Sequence, residues 1–221
     1  VTTDPDSTVP RAGVPAGGVS GVRVPIVVMA SGTGSLLEAL LERSTGTGSP
    51  FTVAAIVVDR ECRAEEIART NDIPLIRCRL GDHADRAAWD QALTDAVDAI
   101  APEWVVTAGF MKILGPAFLS RFGGRVVNSH PALLPAFPGA HGVDDALAYG
   151  VKVTGSTVHL VDAGVDTGPI LAQQVVAVEP DDDVAGLHER IKSVERVLLA
   201  DVVTALVTQG VVIDGRKARI P

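Results

Sequence analysis

Asn128 and His130 are the residues of this chain whose types and spacing most plainly suit chemistry. They stand two apart at the end of a short apolar run, Val126-Val127, and a loop carrying Pro131, Pro135 and Pro138 follows. In an extended segment residues i and i+2 point to the same side, so an amide and an imidazole can face one spot. Each proline fixes its own φ and restricts the residue before it, so the loop is built to hold one shape. Two donors aimed at a carbonyl oxygen would stabilise a tetrahedral oxyanion, and one such donor is worth about 10²–10³ in rate. A nearby carboxylate would favour the imidazolium and fix its tautomer. Asp162 and Asp166, both in the loop Asp162–Gly168, are the candidates for it. Neither cysteine lies near this loop and no serine sits in a Gly-x-Ser-x-Gly elbow, so the nucleophile is expected to come from a substrate. That points to acyl-type transfer between two bound molecules. Taken alone, however, Asn-x-His-Pro is more often a structural turn than a site. Of the other histidines, His141 and His159 read as structural, and His83 and His188 as solvated or capping.

A second cluster is Ser31-Gly32-Thr33-Gly34-Ser35, between an apolar run and a helical segment. Backbone N–H groups and the helix dipole favour an anion at such a turn. No Gly-Lys-Ser/Thr follows, which excludes a P-loop. Gly32 and Gly34 fill two positions of the dinucleotide fingerprint, but Leu37 stands where its third glycine belongs. Asp59, after the second apolar run, occupies the place of a ribose-binding acid. Monophosphate binding, dinucleotide binding and a purely structural turn all remain open on these residues.

Positioning these groups is the task of an alternation of β-branched runs and helical segments. Strands are expected over Val24–Ala30, Phe51–Val58, Ile73–Cys78, Glu103–Ala108, Arg125–Asn128, Lys152–Val161 and Pro169–Val178. Helices are expected from Leu36, Ala64, Asp85, Pro116 and Val143, and a last one over 183–207. Its buried stripe is expected to run Val184, Leu187, Ile191, Val194, Leu198, Val202. The fold class is α/β: an open, twisted, mostly parallel sheet of about seven strands, helices on both faces, antiparallel strands in the C-terminal part. Residues 1–23, rich in Pro, Gly, Ser and Thr, read as a flexible tail. Residues 24–221 read as one domain with halves of about 24–122 and 123–221.

The totals agree with this reading. A chain of 221 residues, 47% hydrophobic with only 4% aromatic, suits a buried parallel sheet under helices. A net charge of −8 with no basic block argues against nucleic acid or an acidic membrane as partner. Cys62 and Cys78 give neither a disulfide framework nor metal-ligand spacing, and no apolar stretch is long enough to span a bilayer. A cytoplasmic protein acting on small molecules without a metal is expected; a homodimer is left open.

From about Val24 to Val207 the chain resembles the folate-dependent glycinamide ribonucleotide formyltransferases of purine synthesis. The resemblance rests on Ala30-Ser-Gly-Thr-Gly-Ser35, Ala108-Gly-Phe-Met-Lys-Ile-Leu114, Asn128-Ser-His-Pro-Ala-Leu-Leu-Pro135, Gly155-Ser-Thr-Val-His159 and Asp166-Thr-Gly-Pro-Ile-Leu171. It implies a Rossmann-like formyltransferase fold and transfer of the formyl group of 10-formyltetrahydrofolate to the glycinamide amine. It further implies that Asn128 and His130 bind the developing oxyanion, while Asp166 raises the pKa of His130 and helps move the proton. Gly34, Ser35 and Leu36 would hold the substrate phosphate, with Lys192 and Glu195 at the phosphate and ribose. Without the resemblance, Lys192 and Glu195 read as a surface ion pair. The folate would lie along Met111, Lys112, Ile113 and Leu114, against Asn128 and Val165, with Arg86 near its acidic tail. Two departures stand out: Leu36 where many members have Asn, and Lys112 where Arg is common, which keeps charge but loses the planar fork. Related tRNA formyltransferases and formyltetrahydrofolate hydrolases are disfavoured, the first by the acidic charge and the second by having no need of a sugar-phosphate loop. Outside the group, the rivals are an NAD-dependent dehydrogenase and a non-catalytic nucleotide-binding module.

Overall fold

A computed structural model describes residues 12–14 and 22–221. In chain order the elements are β1 (Ala12–Val14), β2 (Val24–Ala30), α1 (Ser35–Thr45), β3 (Phe51–Val58), α2 (Arg63–Thr70), β4 (Leu75–Arg77), α3 (Arg86–Asp98) and β5 (Trp104–Thr107). There follow α4 (Pro116–Phe122), β6 (Val126–His130), α5 (Gly142–Tyr149), β7 (Val153–Leu160), β8 (Ile170–Ala177), α6 (Val184–Gln209), β9 (Val211–Asp214) and β10 (Lys217–Arg219). The strands form one sheet in the order β1-β9-β10-β8-β7-β6-β5-β2-β3-β4.

The seven strands expected from the sequence are all present, and the sheet is parallel from β4 to β6 and antiparallel from β6 to β8. Three short strands extend it beyond that count. β9 and β10 form an antiparallel hairpin, and β1 pairs with β9. Residues 12–14 therefore belong to the sheet edge rather than to a tail; residues 1–11 and 15–21 of the expected tail lie outside the described residues.

Alternation along the buried strands divides the core between two faces. Ile26 and Val28 of β2 pack with Leu37 and Leu40 of α1, Ile67 of α2 and Leu199 and Val203 of α6. Val27 and Met29 pack with Trp89 and Leu93 of α3 and Phe118 and Phe122 of α4. A strand buried on both sides must be apolar at every position, which is why Val24–Ala30 shows no polar alternation. Capping follows the sequence: Asp85 and Asp183 accept from the backbone N–H groups of Ala88 and Gly186, and Gly150 ends α5 at φ 78°.

One packing expectation needs correction. The most buried line of α6 runs Leu187, Ile191, Glu195, Leu199, Val202 and Val203, while Val184 is 40% exposed and Val194 and Leu198 are only partly buried. The stripe passes through a glutamate because two serines supply that carboxylate with hydroxyl partners inside the protein.

Strand order reverses between β2 and β5, so the connections leaving their carboxyl ends run to α1 and α4 on opposite faces and leave a crevice. The glycine loop follows β2, the Gly109–Leu114 loop follows β5, and β6 ends beside them at His130.

Candidate active site

A cavity of about 570 Å³ occupies this crevice. Its lining takes in Gly34, Ser35 and Leu36 from the start of α1 and Met111 to Leu114 from the loop after β5. Asn128, His130, His159, Asp166, His188, Lys192 and Glu195 complete its polar side.

Both parallel and antiparallel pairing position the polar floor. In the register, Asn128 of β6 stands opposite Thr107 of β5 and His159 of β7. The Thr107 hydroxyl lies 2.7 Å from Asn128 Oδ1, which turns the amide nitrogen toward the cavity side, 3.1 Å from His159 Nε2 and 3.5 Å from Asp166 Oδ1. His159 Nδ1 is 2.9 Å from the Leu160 carbonyl, so that nitrogen carries a proton, and Nε2 faces both the Asn128 amide and, at 3.5 Å, Asp166 Oδ1.

His130, 4% exposed, is held from both sides. Its Nε2–H donates to the Phe137 carbonyl at 2.7 Å, and its Nδ1 lies 3.4 Å from Asp166 Oδ2. Both ring nitrogens thus face acceptors, an arrangement that suits an imidazolium, in which both are donors. The proline loop is fixed by more than its prolines. Thr157 Oγ1 accepts from Leu134 N and Gln173 Nε2 and donates to Ala132 O, and Gln173 Nε2 also reaches Leu134 O.

Asp166 is the carboxylate on which these donors converge. It sits at φ 54°, an uncommon conformation for a residue with a side chain and one found at functional sites. Burial pushes its pKa up, but the contacts with His159, the Gly139 N–H bond and the charge on His130 outweigh burial, and the carboxyl titrates below its usual range. Of Asp162 and Asp166, it is Asp166 that reaches the two imidazoles, while Asp162 Oδ1 accepts from Gly164 N and Thr167 Oγ1 and shapes the loop.

At the opposite wall Gly34 precedes α1 at φ 77°, and a Cβ there would come within 2.5 Å of Ile67 Cδ1. No side chain caps the helix, whose bonding begins with Glu38 N to Gly34 O, so the N–H groups of Ser35 and Leu36 are left for a ligand. Leu36 itself is buried and packs with the core, and it also lines the cavity. Lys192 reaches this wall and pairs with Glu189 at 2.9 Å. It does not pair with Glu195, which the surface ion-pair reading required. Glu195 is 4% exposed, accepts from Ser129 Oγ at 2.7 Å, and has its pKa raised by burial against the pull of those serines and of Lys192.

Met111, Ile113 and Val165 are each about half exposed and form an apolar rim, with Leu114 buried behind them. Arg86 does not line the cavity; its guanidinium donates to the Ile113 carbonyl and lies over the Trp89 ring. Two further histidines line the cavity. His159 lies in the floor, and His188 is half-buried in the cavity wall, its pKa lowered by burial and by Lys192. Strand alternation placed His159 on the Asn128 side only once the β6–β7 register was known. His141 is exposed at the start of α5. Among the described residues no group of three His, Cys, Asp or Glu side chains is arranged to hold a metal ion.

The model of the formyl transferase family matches residues 24–203. This chain belongs to that family. It is 63% identical to a phosphoribosylglycinamide formyltransferase of Mycobacterium tuberculosis over 193 residues, 87% of this chain and 89% of the relative. A phosphoribosylglycinamide formyltransferase of Bacillus subtilis is 37% identical over 76% of this chain and 87% of its own length. Among solved structures, a glycinamide ribonucleotide transformylase from Symbiobacterium toebii superposes with a TM-score of 0.88 at 36% identity, covering 91% of this chain and 95% of that one. The family is one of formyl-transferring enzymes, so the protein is an enzyme and the site just described is where its chemistry is to be sought. The dehydrogenase rival loses its main support on structural grounds as well: Asp59 is buried under Arg60 and Lys112 and is absent from the cavity lining.

Proposed function

We propose that this formyl transferase moves the formyl group of 10-formyltetrahydrofolate to the amine of glycinamide ribonucleotide, as a cytoplasmic enzyme of purine synthesis. The observation that carries the reading is the convergence of Asn128 Nδ2 and His130 Nδ1 on one carboxylate, Asp166, at the floor of a cavity with two unlike walls. One wall offers helix N–H groups and Lys192, which suit a phosphate. The other offers Met111, Ile113 and Val165, which suit a flat aromatic ring. The names of the relatives supply the ribonucleotide acceptor and the formyl group, and the donor 10-formyltetrahydrofolate follows from the sequence resemblance.

The substrate amine attacks the formyl carbon, and the negative charge that develops on the carbonyl oxygen is taken up by hydrogen bonds from Asn128 and His130. A new C–N bond forms as the bond from the formyl carbon to folate N10 breaks, and the proton lost by the amine ends on N10. Asp166 holds the His130 ring at Nδ1 and, through a water, relays that proton. Ser35 and Leu36 bind the phosphate through N–H groups, so the Leu36 departure leaves binding intact. Glu195, already bonded to Ser129, reads the ribose hydroxyls. Incubating the protein with both substrates and following tetrahydrofolate absorbance tests the proposal; transfer well above background is expected, and none would overturn it.

A further inference from the structure

Asp59 was singled out by sequence as a ribose-binding acid, and the site leaves it without a role. Its side chain is fully buried at the end of β3, where an unpaired carboxylate would be costly. Arg60 Nη2 lies 3.0 Å and Lys112 Nζ 3.2 Å from the same oxygen, Oδ2. Lys112 stands at a bend of the loop, between Met111 and Ile113 of the apolar rim, which are about half exposed while the Lys112 side chain is 26% exposed. Anchoring Lys112 on Asp59 holds that bend and with it the placement of Met111 and Ile113 on the cavity.

The rest of the loop is tied to the same corner. Ser31 N donates to Gly109 O at 3.2 Å, and Ser31 Oγ accepts from Met111 N at 2.9 Å. At its far end the loop meets Asp90, whose buried carboxylate accepts from Gly115 N and Ala117 N. A Cβ at Gly115 would lie 2.4 Å from that carboxylate, so the close approach requires glycine. Asp90 and Ser31, with Arg86 on the Ile113 carbonyl, hold the loop backbone, and the Asp59–Lys112 pair ties down a side chain of the rim itself.

We propose that Asp59 is a positioning residue, a buried charge that orients the folate-binding rim by holding Lys112 and that never touches either substrate. The proposal rests on the assignment of Met111–Leu114 to the folate. Burial opposes the charge on Asp59, but Arg60, Ser31 and Lys112 together keep the carboxyl below its usual range, so it stays ionised near neutral pH.

The test is steady-state kinetics of Asp59→Asn, Lys112→Met and the double variant, with both substrates varied and thermal unfolding recorded alongside. Asp59→Asn should raise KM for 10-formyltetrahydrofolate about tenfold, the scale of one charge-assisted hydrogen bond, while KM for the ribonucleotide stays within about twofold. Lys112→Met should match it, and the double variant should be no worse than either single one. If Lys112 bound folate directly, Lys112→Met alone would raise that KM and Asp59→Asn would not, which would overturn the proposal. Parallel rises in both KM values, or multiplied effects in the double variant, would overturn it too, since both describe loosened structure rather than a shared pair. If Asp59→Asn proves too unstable to assay, the comparison is made with Asp59→Ser. An inactive wild-type protein would instead indict the formyl-transfer reading on which the proposal stands.

Discussion

Asp59 and Asp166 are both buried carboxylates beside one crevice, and both titrate below the usual range, yet their surroundings are opposite in kind. Asp59 is met by Arg60 and Lys112, whose charges do not change at working pH. Asp166 is met by two imidazoles and an amide, at 3.4–3.5 Å rather than 3.0–3.2 Å, and retains 14% side-chain exposure. Permanent partners in close contact make a fixture. Titratable partners at a slightly longer reach, open to the cavity, make a group that can exchange protons with a substrate.

The largest break in this comparison is Asp166→Asn. It should lower kcat by about 10²–10⁴, the range of a positioned acid–base group, with modest change in either KM. Asp59→Asn should do the reverse and spare kcat, so the two variants separate the two kinds of carboxylate in one assay. A smaller effect belongs to His159→Phe. The Asn128 amide would lose the acceptor that aims it, and kcat should fall about five- to tenfold, the worth of one neutral hydrogen bond. If His159 were only a core residue, Tm would fall while kcat held.

The smallest effect comes from a third carboxylate, Glu195, whose pKa is shifted the other way by burial. Its folded pKa lies above its unfolded value of about 4.3, so the folded state keeps a proton that the unfolded chain releases. Stability from this group therefore declines as pH rises from that unfolded value through the folded one. Glu195→Gln should remove the decline and raise Tm at neutral pH by about 2–4 °C for each kcal/mol regained, while leaving Tm near pH 4 unchanged. A Tm lowered at pH 7 would show that its serine hydrogen bonds matter more than its charge.

Much of the fold was legible because apolar runs and helical periods obey local rules. The edge strands were not. Residues 12–14 carry no period, and β9 and β10, though joined by the two-residue turn Gly215-Arg216, are obscured by the helix that runs directly into them. In the site, Asn128 and His130 were readable from strand alternation alone. Asp166 was one of two candidates until a three-dimensional loop chose it, and His159 required the β6–β7 register, which no single strand encodes. Glu195 had a signal that was passed over: the spacing Leu187, Ile191, Glu195, Leu199 puts it on the buried line. Charge suggested a surface, and the two serines that make its burial tolerable lie on β6 and β7, 66 and 39 residues away.

The central claim is that Asp166 and His130 act as one unit on the formyl oxygen and the proton. Measuring kcat for Asp166→Asn, His130→Ala and the double variant tests it most directly. The predicted result is that each single variant loses orders of magnitude in kcat and the double variant loses no more than the worse of them. Losses that multiply in the double variant, or variants in which only KM rises, would contradict it.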